Sequence, residues 1–122
     1  MDANKSHILI VDDDPDMLQL LQYTMQFAGY DVSTTNSGED AIKKVKHDKY
    51  DLMILDLMMP DISGFDVLVA LQAEESRPKV IVHSIIPHLD IRMECSTLGA
   101  SRYLVKPTAR EVLLEAVAHT IV

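Results

Sequence analysis

The chain alternates short apolar runs with longer segments of helical period. The runs are "HILIV" (7–11), "YDVSTT" (30–35), "DLMIL" (51–55), "KVIVHS" (79–84) and "RYLV" (102–105); rich in Ile, Val and Leu and only four to six residues long, they predict strands. Between them the spacing of three and four recurs. The first helix carries Leu18, Leu21, Met25 and Ala28 on one face and stops at Gly29. The second starts at Ser37, with Asp40 three residues on in a capping-box-like arrangement, and buries Ala41, Ile42 and Val45. The third starts near Ser63 with Phe65, Leu68, Val69 and Leu71 inward. The fourth, Leu89 to Leu98, is only mildly amphipathic. The fifth opens on a capping box, Thr108 to Glu111, and buries Val112, Leu113, Ala116 and Val117.

Five strands alternating with five helices predict an α/β fold, a parallel sheet covered on both faces. The apolar character of strands one, three and four suits central positions buried on both sides; strand two, with "STT", reads as an edge. Right-handed crossovers then favour a doubly wound, flavodoxin-like sheet of order 2-1-3-4-5, with its switch point between strands one and three. Ligands of such sheets sit at the carboxyl ends of the strands.

Composition narrows the class. With 122 residues and 48% hydrophobic content, residues 1–122 read as one domain with a core of its own. Cys95 is the only cysteine and no signal-like segment is seen, which fits a reducing cytoplasm. Charges or prolines interrupt every apolar run well before membrane-spanning length, so no membrane insertion is expected. The formal charge of −8, with 11 scattered basic residues, opposes direct binding to nucleic acid, which needs clustered Lys and Arg.

The residues that terminate the central runs are Asp12 with Asp13, then Asp56, Ser84 and Lys106. Any one alone reads as an ordinary loop residue; together on one rim they define a chemistry. Three carboxylates within a few ångströms need a positive charge among them, and hard oxygen ligands favour Mg²⁺ or Mn²⁺. Mg²⁺ with few protein ligands commonly shares its shell with phosphate. Lys106 offers a second positive charge to phosphoryl oxygens and Ser84 a hydrogen bond. Asp56, standing alone at the centre of the sheet, is the candidate nucleophile. The rest of the first acidic run is structural: Asp14 precedes Pro15 as a helix N-cap, and Asp16 lies in the first turn.

"LIVDDDP", "LMILDLMMPDISGFDVL", "KVIVHS" and "GASRYLVKP" resemble the receiver domain of two-component response regulators, of the chemotaxis regulator type, over essentially the whole chain. The resemblance implies that Asp56 accepts a phosphoryl group from a phosphohistidine on a sensor histidine kinase or histidine phosphotransfer protein. It implies that Asp13, Asp56 and the backbone carbonyl of Met58 coordinate Mg²⁺, with Asp12 assisting through water. Ser84 then fills the position that moves to bond the phosphoryl group, Tyr103 that of the aromatic switch, and Lys106 pairs with the phosphate; the Lys106–Pro107 bond is expected to be cis. The readout surface would be the face of helix four, strand five and helix five, acting on a downstream effector protein or output domain.

Two departures accompany the resemblance: Ile85 where the family often has Ala, and Thr108 where it often has Phe. Met58 and Ile86 are apolar at positions that line the approach of water, which predicts a long-lived phosphoryl state. The same residues discriminate against other readings. A haloacid dehalogenase-type phosphatase would need an aspartate where Met58 stands; a receiver fold kept as a binding module would not need all five site residues. A flavodoxin-like cofactor role fails because the first loop holds aspartates where phosphate would lie, and no nucleotide P-loop is present. Tyr103 equally suits a packed strand aromatic. His83 falls on the face opposite Ser84, and neither it nor His88 has a second ligand at metal spacing. Cys95 reads as a small packed residue, and Met53, Met58 and Met59 as core and rim filler.

Overall fold

The computed structural model describes residues 5–122. Its elements are β1 (His7–Val11), α1 (Pro15–Phe27), β2 (Asp31–Thr35), α2 (Gly38–His47), β3 (Leu52–Leu55), α3 (Gly64–Leu71), β4 (Lys79–Ser84), α4 (Leu89–Thr97), β5 (Arg102–Val105) and α5 (Arg110–Ile121). The strands pair in parallel in the order β2-β1-β3-β4-β5, so the doubly wound sheet and its edge strand are as expected. Alternation divides the core in two. Leu9, Val11, Met53, Leu55, Val80 and Val82 face α2, α3 and α4, where Ala41, Val45, Val67, Leu68, Leu71 and Cys95 meet them. Ile8, Ile10, Leu52, Ile54 and Ile81 face Leu21 and Met25 of α1 and Leu113, Ala116 and Val117 of α5. Burial on both faces is why β1, β3 and β4 carry no polar alternation. Among the described residues, no helix is long and apolar enough to cross a membrane.

The helix starts follow local chemistry. The Asp14 carboxylate accepts the Asp16 N–H at 3.0 Å with Pro15 in the first turn, the Ser37 hydroxyl accepts the Asp40 N–H at 3.1 Å, and Ser63 and Asp66 form a reciprocal capping box. Four expectations need correction. Ala28, placed on the buried face of the first helix, is its exposed C-cap. Val69 is exposed and Val67 buried, because the inward face of α3 is phased from Gly64, giving 64, 67, 68 and 71. Val112 is exposed for the same reason of phase, the inward set of α5 being Leu113, Ala116, Val117 and Thr120. The Thr108 to Glu111 capping box does not form: the Thr108 hydroxyl donates backwards to the Val105 carbonyl at 2.8 Å, and Ala109 stands at the N-cap without a side-chain bond. The Lys106–Pro107 peptide is cis.

His83 lies on the α1 and α5 side of β4, 3% exposed, and neither ring nitrogen has a hydrogen-bond partner among the described residues. Burial is the main force lowering its pKa from 6.5 to about 4, with the Lys106 charge adding to it. Between those values the unfolded chain binds a proton that the folded chain refuses, so His83 makes stability fall as pH drops from 6.5 towards 4. His83→Leu is expected to abolish a loss of about 2 kcal/mol between pH 7 and pH 4.5. Urea denaturation at the two pH values checks this; an unchanged acid dependence in the variant would assign the loss elsewhere.

Candidate functional site

The ladder hydrogen bonds carry the expected residues to one rim. The Asp12 N–H donates to the Thr35 carbonyl at 3.2 Å, the Asp56 N–H to the Val11 carbonyl at 2.9 Å, and the Lys106 N–H to the Ser84 carbonyl at 2.8 Å. Each of these bonds extends a strand pairing by one residue past its last apolar position. The sheet therefore sets the site residues side by side, although they are up to 94 positions apart in the chain.

Carboxylate oxygens of Asp12, Asp13 and Asp56 lie within 4.8 Å of one another. Asp12 is 2% and Asp56 6% exposed, while Asp13 is open to solvent. Among the described residues, the cation reaching this cluster is Lys106, whose Nζ is 2.8 Å from Asp12 Oδ2 and 3.8 Å from Asp56 Oδ1. One ammonium against three carboxylates leaves the site short of positive charge. Asp56 registers the imbalance: burial pushes its pKa up from 3.8 to about 6, Lys106 draws it down, and Asp12 and Asp13 push it up again. Buried oxygen donors in excess of cationic partners suit a hard divalent ion such as Mg²⁺. Asp12 also accepts the Asp14 N–H at 3.0 Å, which orients its carboxylate over the turn.

The loop that follows Asp56 is shaped by what cannot fit. The Gly64 N–H donates to the Leu57 carbonyl at 2.9 Å, and a Cβ on Gly64 would lie 2.5 Å from the Asp56 carbonyl oxygen and 2.7 Å from Leu57 Cα. Glycine is needed here for close approach of backbone to backbone. Met58 follows on the loop, its side chain 55% exposed and its N–H donating to Asp56 Oδ1 at 3.4 Å.

On the β4 and β5 side, Ser84 is fully buried, and its Oγ accepts the Ile86 N–H at 3.2 Å. The Ile86 carbonyl accepts the Tyr103 hydroxyl at 2.6 Å. One loop residue thus joins Ser84 to Tyr103. Tyr103 is half-buried, with the Arg92 guanidinium 5.4 Å from its ring centre. Ile85 turns outward, 63% exposed. Cys95 is buried with its thiol pKa raised to about 11, chiefly by burial, which makes it an inert packing residue.

A residue that no sequence motif marks, Asp61, ties this loop to the start of α2. The Asp61 carboxylate accepts the Ser37 hydroxyl at 2.8 Å and the N–H groups of Glu39 at 3.0 Å and Gly38 at 3.2 Å. Its partners precede it by more than twenty positions, so no local pattern marks it.

Comparison with known proteins agrees with this geometry. The family model described as "Response regulator receiver domain" matches residues 8–118. The response regulator SaeR of Staphylococcus aureus is 34% identical over 110 residues, covering 89% of this chain and 48% of SaeR; the chain spans about half the length of the curated relatives it matches. Among solved structures, the receiver domain of a putative Luxo repressor protein from Vibrio parahaemolyticus superposes with a TM-score of 0.91 at 29% identity, covering 96% of this chain and 90% of that one. The chemotaxis response regulator CheY4 of Vibrio cholerae gives 0.90 at 28%, covering 96% and 99%. TrrA of Thermotoga maritima, solved in complex with Mg²⁺ and a beryllium fluoride, gives 0.84 at 35%, covering 94% and 98%. With a matching family model across nearly all its length and the acidic rim at the switch point of the expected sheet, this chain belongs to the response regulator receiver domains of two-component signalling.

Proposed function

We propose that the chain accepts a phosphoryl group on Asp56 from a phosphohistidine of a sensor kinase or phosphotransfer protein, and that the transfer alters the face built by α4, β5 and α5. The observation that carries this reading is the cluster of Asp12, Asp13 and Asp56 within 4.8 Å, with Lys106 at its edge. Aspartyl phosphorylation and Mg²⁺ are typical of the family, and TrrA was captured with Mg²⁺ and a beryllium fluoride. Asp13, Asp56 and the Met58 carbonyl would hold the ion, with Asp12 assisting through water. When bound, it would supply positive charge to phosphoryl oxygens as they take on negative charge.

This chain's own residues account for the other requirements. A carboxylate oxygen of Asp56 attacks phosphorus as the bond from phosphorus to the histidine nitrogen breaks, leaving an acyl phosphate here and a free imidazole on the donor. Lys106, already drawn to the acidic side of the site, offers its ammonium to the arriving oxygens. Ser84 Oγ uses a lone pair on the Ile86 N–H, which leaves its own hydrogen free to donate to a phosphoryl oxygen. If Ser84 moves towards the phosphate, Ile86 is pulled with it, and the Tyr103 hydroxyl bonded to the Ile86 carbonyl must readjust. That linkage gives a route from Asp56 to the α4 and β5 surface, by biasing arrangements the loop can already adopt. The reading also places the protein in the cytoplasm, where its donors act.

Incubation with acetyl phosphate and Mg²⁺, followed by mass measurement of the intact protein, tests this directly. One phosphoryl adduct that fails to form when Mg²⁺ is chelated is expected; steady release of phosphate from assorted phosphoesters would instead indicate a phosphatase. Neither Met58 nor Ile86 has a side chain able to orient an attacking water. The adduct is therefore expected to persist for minutes or longer, and Met58→Asn to shorten its half-life by about 10-fold. A half-life of seconds in the unaltered protein would refute the water-exclusion argument.

A further inference from the structure

The loop from Asp56 to Gly64 carries Met58, and its two flanks are fixed by different means. At its far end the Gly64 N–H is bonded to the Leu57 carbonyl at 2.9 Å, closing the loop on itself. In the middle it is tied sideways to α2. Asp61 gathers the Ser37 hydroxyl and the N–H groups of Gly38 and Glu39 within 3.2 Å, while Gly38 packs so closely on the loop that a Cβ there would lie 2.6 Å from Ile62 Cγ1. The N–H groups and hydroxyl around it hold the Asp61 carboxyl well below the usual carboxylate range, the Glu39 N–H contributing most. Asp61 is thus a fixed anion at the positive end of α2, yet it lies only three residues from Met58.

We infer that Asp61 is a positioning residue for the metal site: its carboxylate, docked on the first turn of α2, holds the acceptor loop so that the Met58 carbonyl is presented towards Asp13 and Asp56. The inference rests on the functional reading above, in which that carbonyl is a ligand. Mg²⁺ tolerates little error in ligand placement, and loss of a group that orients a ligand commonly lowers metal affinity by about 10-fold or more. A loop free to drift by a fraction of an ångström therefore weakens binding without any ligand having been removed.

The test is the urea midpoint of the whole chain as a function of Mg²⁺ concentration, starting from chelated protein. It reads stability without metal and, from the concentration dependence of the midpoint, the Kd for Mg²⁺. Asp61→Ala is expected to raise that Kd about 10-fold, and Asp61→Asn, which keeps one acceptor oxygen and loses the charge, by a smaller factor. Val45→Ala is the control: it removes buried volume from the last turns of α2 and costs stability, but leaves the bonds of Asp61 to the first turn in place, so its Kd should match that of the unaltered chain. An Asp61→Ala Kd within twofold of the unaltered value, or an equal loss of affinity in Val45→Ala, overturns the inference while leaving the functional reading intact. A midpoint of the unaltered chain that does not respond to Mg²⁺ overturns both.

Discussion

Asp56→Asn is expected to abolish the phosphoryl adduct and, in metal-free solution at pH 7.5, to make the folded protein about 2 kcal/mol more stable. The first effect follows from removal of the attacking oxygen's charge. The second follows from the raised pKa. Burial and the neighbouring aspartates lift Asp56 from 3.8 to about 6 against the pull of Lys106. Between those values the folded chain holds a proton that the unfolded chain has released. The ionised carboxylate thus costs stability above pH 6, and the cost fades as pH falls towards 3.8. Asparagine carries no such charge. Its advantage should be largest at neutral pH, shrink below pH 6 and disappear near pH 4. Saturating Mg²⁺ should also reduce it, because the ion relieves the repulsion that asparagine avoids. Urea titrations across pH, with and without Mg²⁺, read all three dependences; a destabilised variant at neutral pH would mean that Asp56 is not under electrostatic strain.

Lys106→Met should act in the opposite direction. Lys106 Nζ touches Asp12 at 2.8 Å and Asp56 at 3.8 Å, and its side chain is only 13% exposed, as Asp12 is 2%. Removing it strands buried carboxylates without a cation, a change that costs about 3 kcal/mol. The Asp56 pKa should rise further, since Lys106 is the group that now lowers it most. Mg²⁺ supplies the missing charge, so the variant should gain more from the ion than the unaltered chain does, with about 2.7 kcal/mol available at 100 times Kd. On the proposed reading, phosphoryl transfer should remain impaired even in Mg²⁺, because the ammonium assigned there to the phosphoryl oxygens is gone. Full recovery of adduct formation in Mg²⁺ would show that Lys106 serves stability alone.

Much of this architecture was legible one residue at a time. The strand ends at Asp12, Asp56 and Lys106 can be read because each follows directly on an apolar run, and Ser84 because it closes one; a strand buried on both faces stops where the polar residues begin. The caps at Asp14, Ser37 and Ser63 were equally local. The positions that depart from the pattern are helix ends and helix phases set by contacts the pattern does not contain. Val67 rather than Val69 is buried because Gly64 must turn its bare Cα towards Asp56 and Leu57, a constraint invisible in the apolar pattern of α3. Thr108 looked like a cap because its partner three residues on was acidic; the Val105 carbonyl claimed its hydroxyl instead. Asp61 is not recognisable from the sequence, because the groups that dock it, on Ser37, Gly38 and Glu39, belong to the start of α2 more than twenty positions earlier.

Hydrophobic spacing by itself determined the alternation of strands and helices, the parallel sheet, its order and the rim on which the acidic residues meet, since these depend on period, length and the handedness of connections. Only the tertiary structure decided how the rim residues share charge, which carboxylate takes the lysine, how far Asp56 is driven from its ordinary pKa, and which loop residue links Ser84 to Tyr103. Those outcomes depend on distances of 3 to 5 Å between segments remote in the chain, and electrostatic and hydrogen-bond energies change steeply over that range.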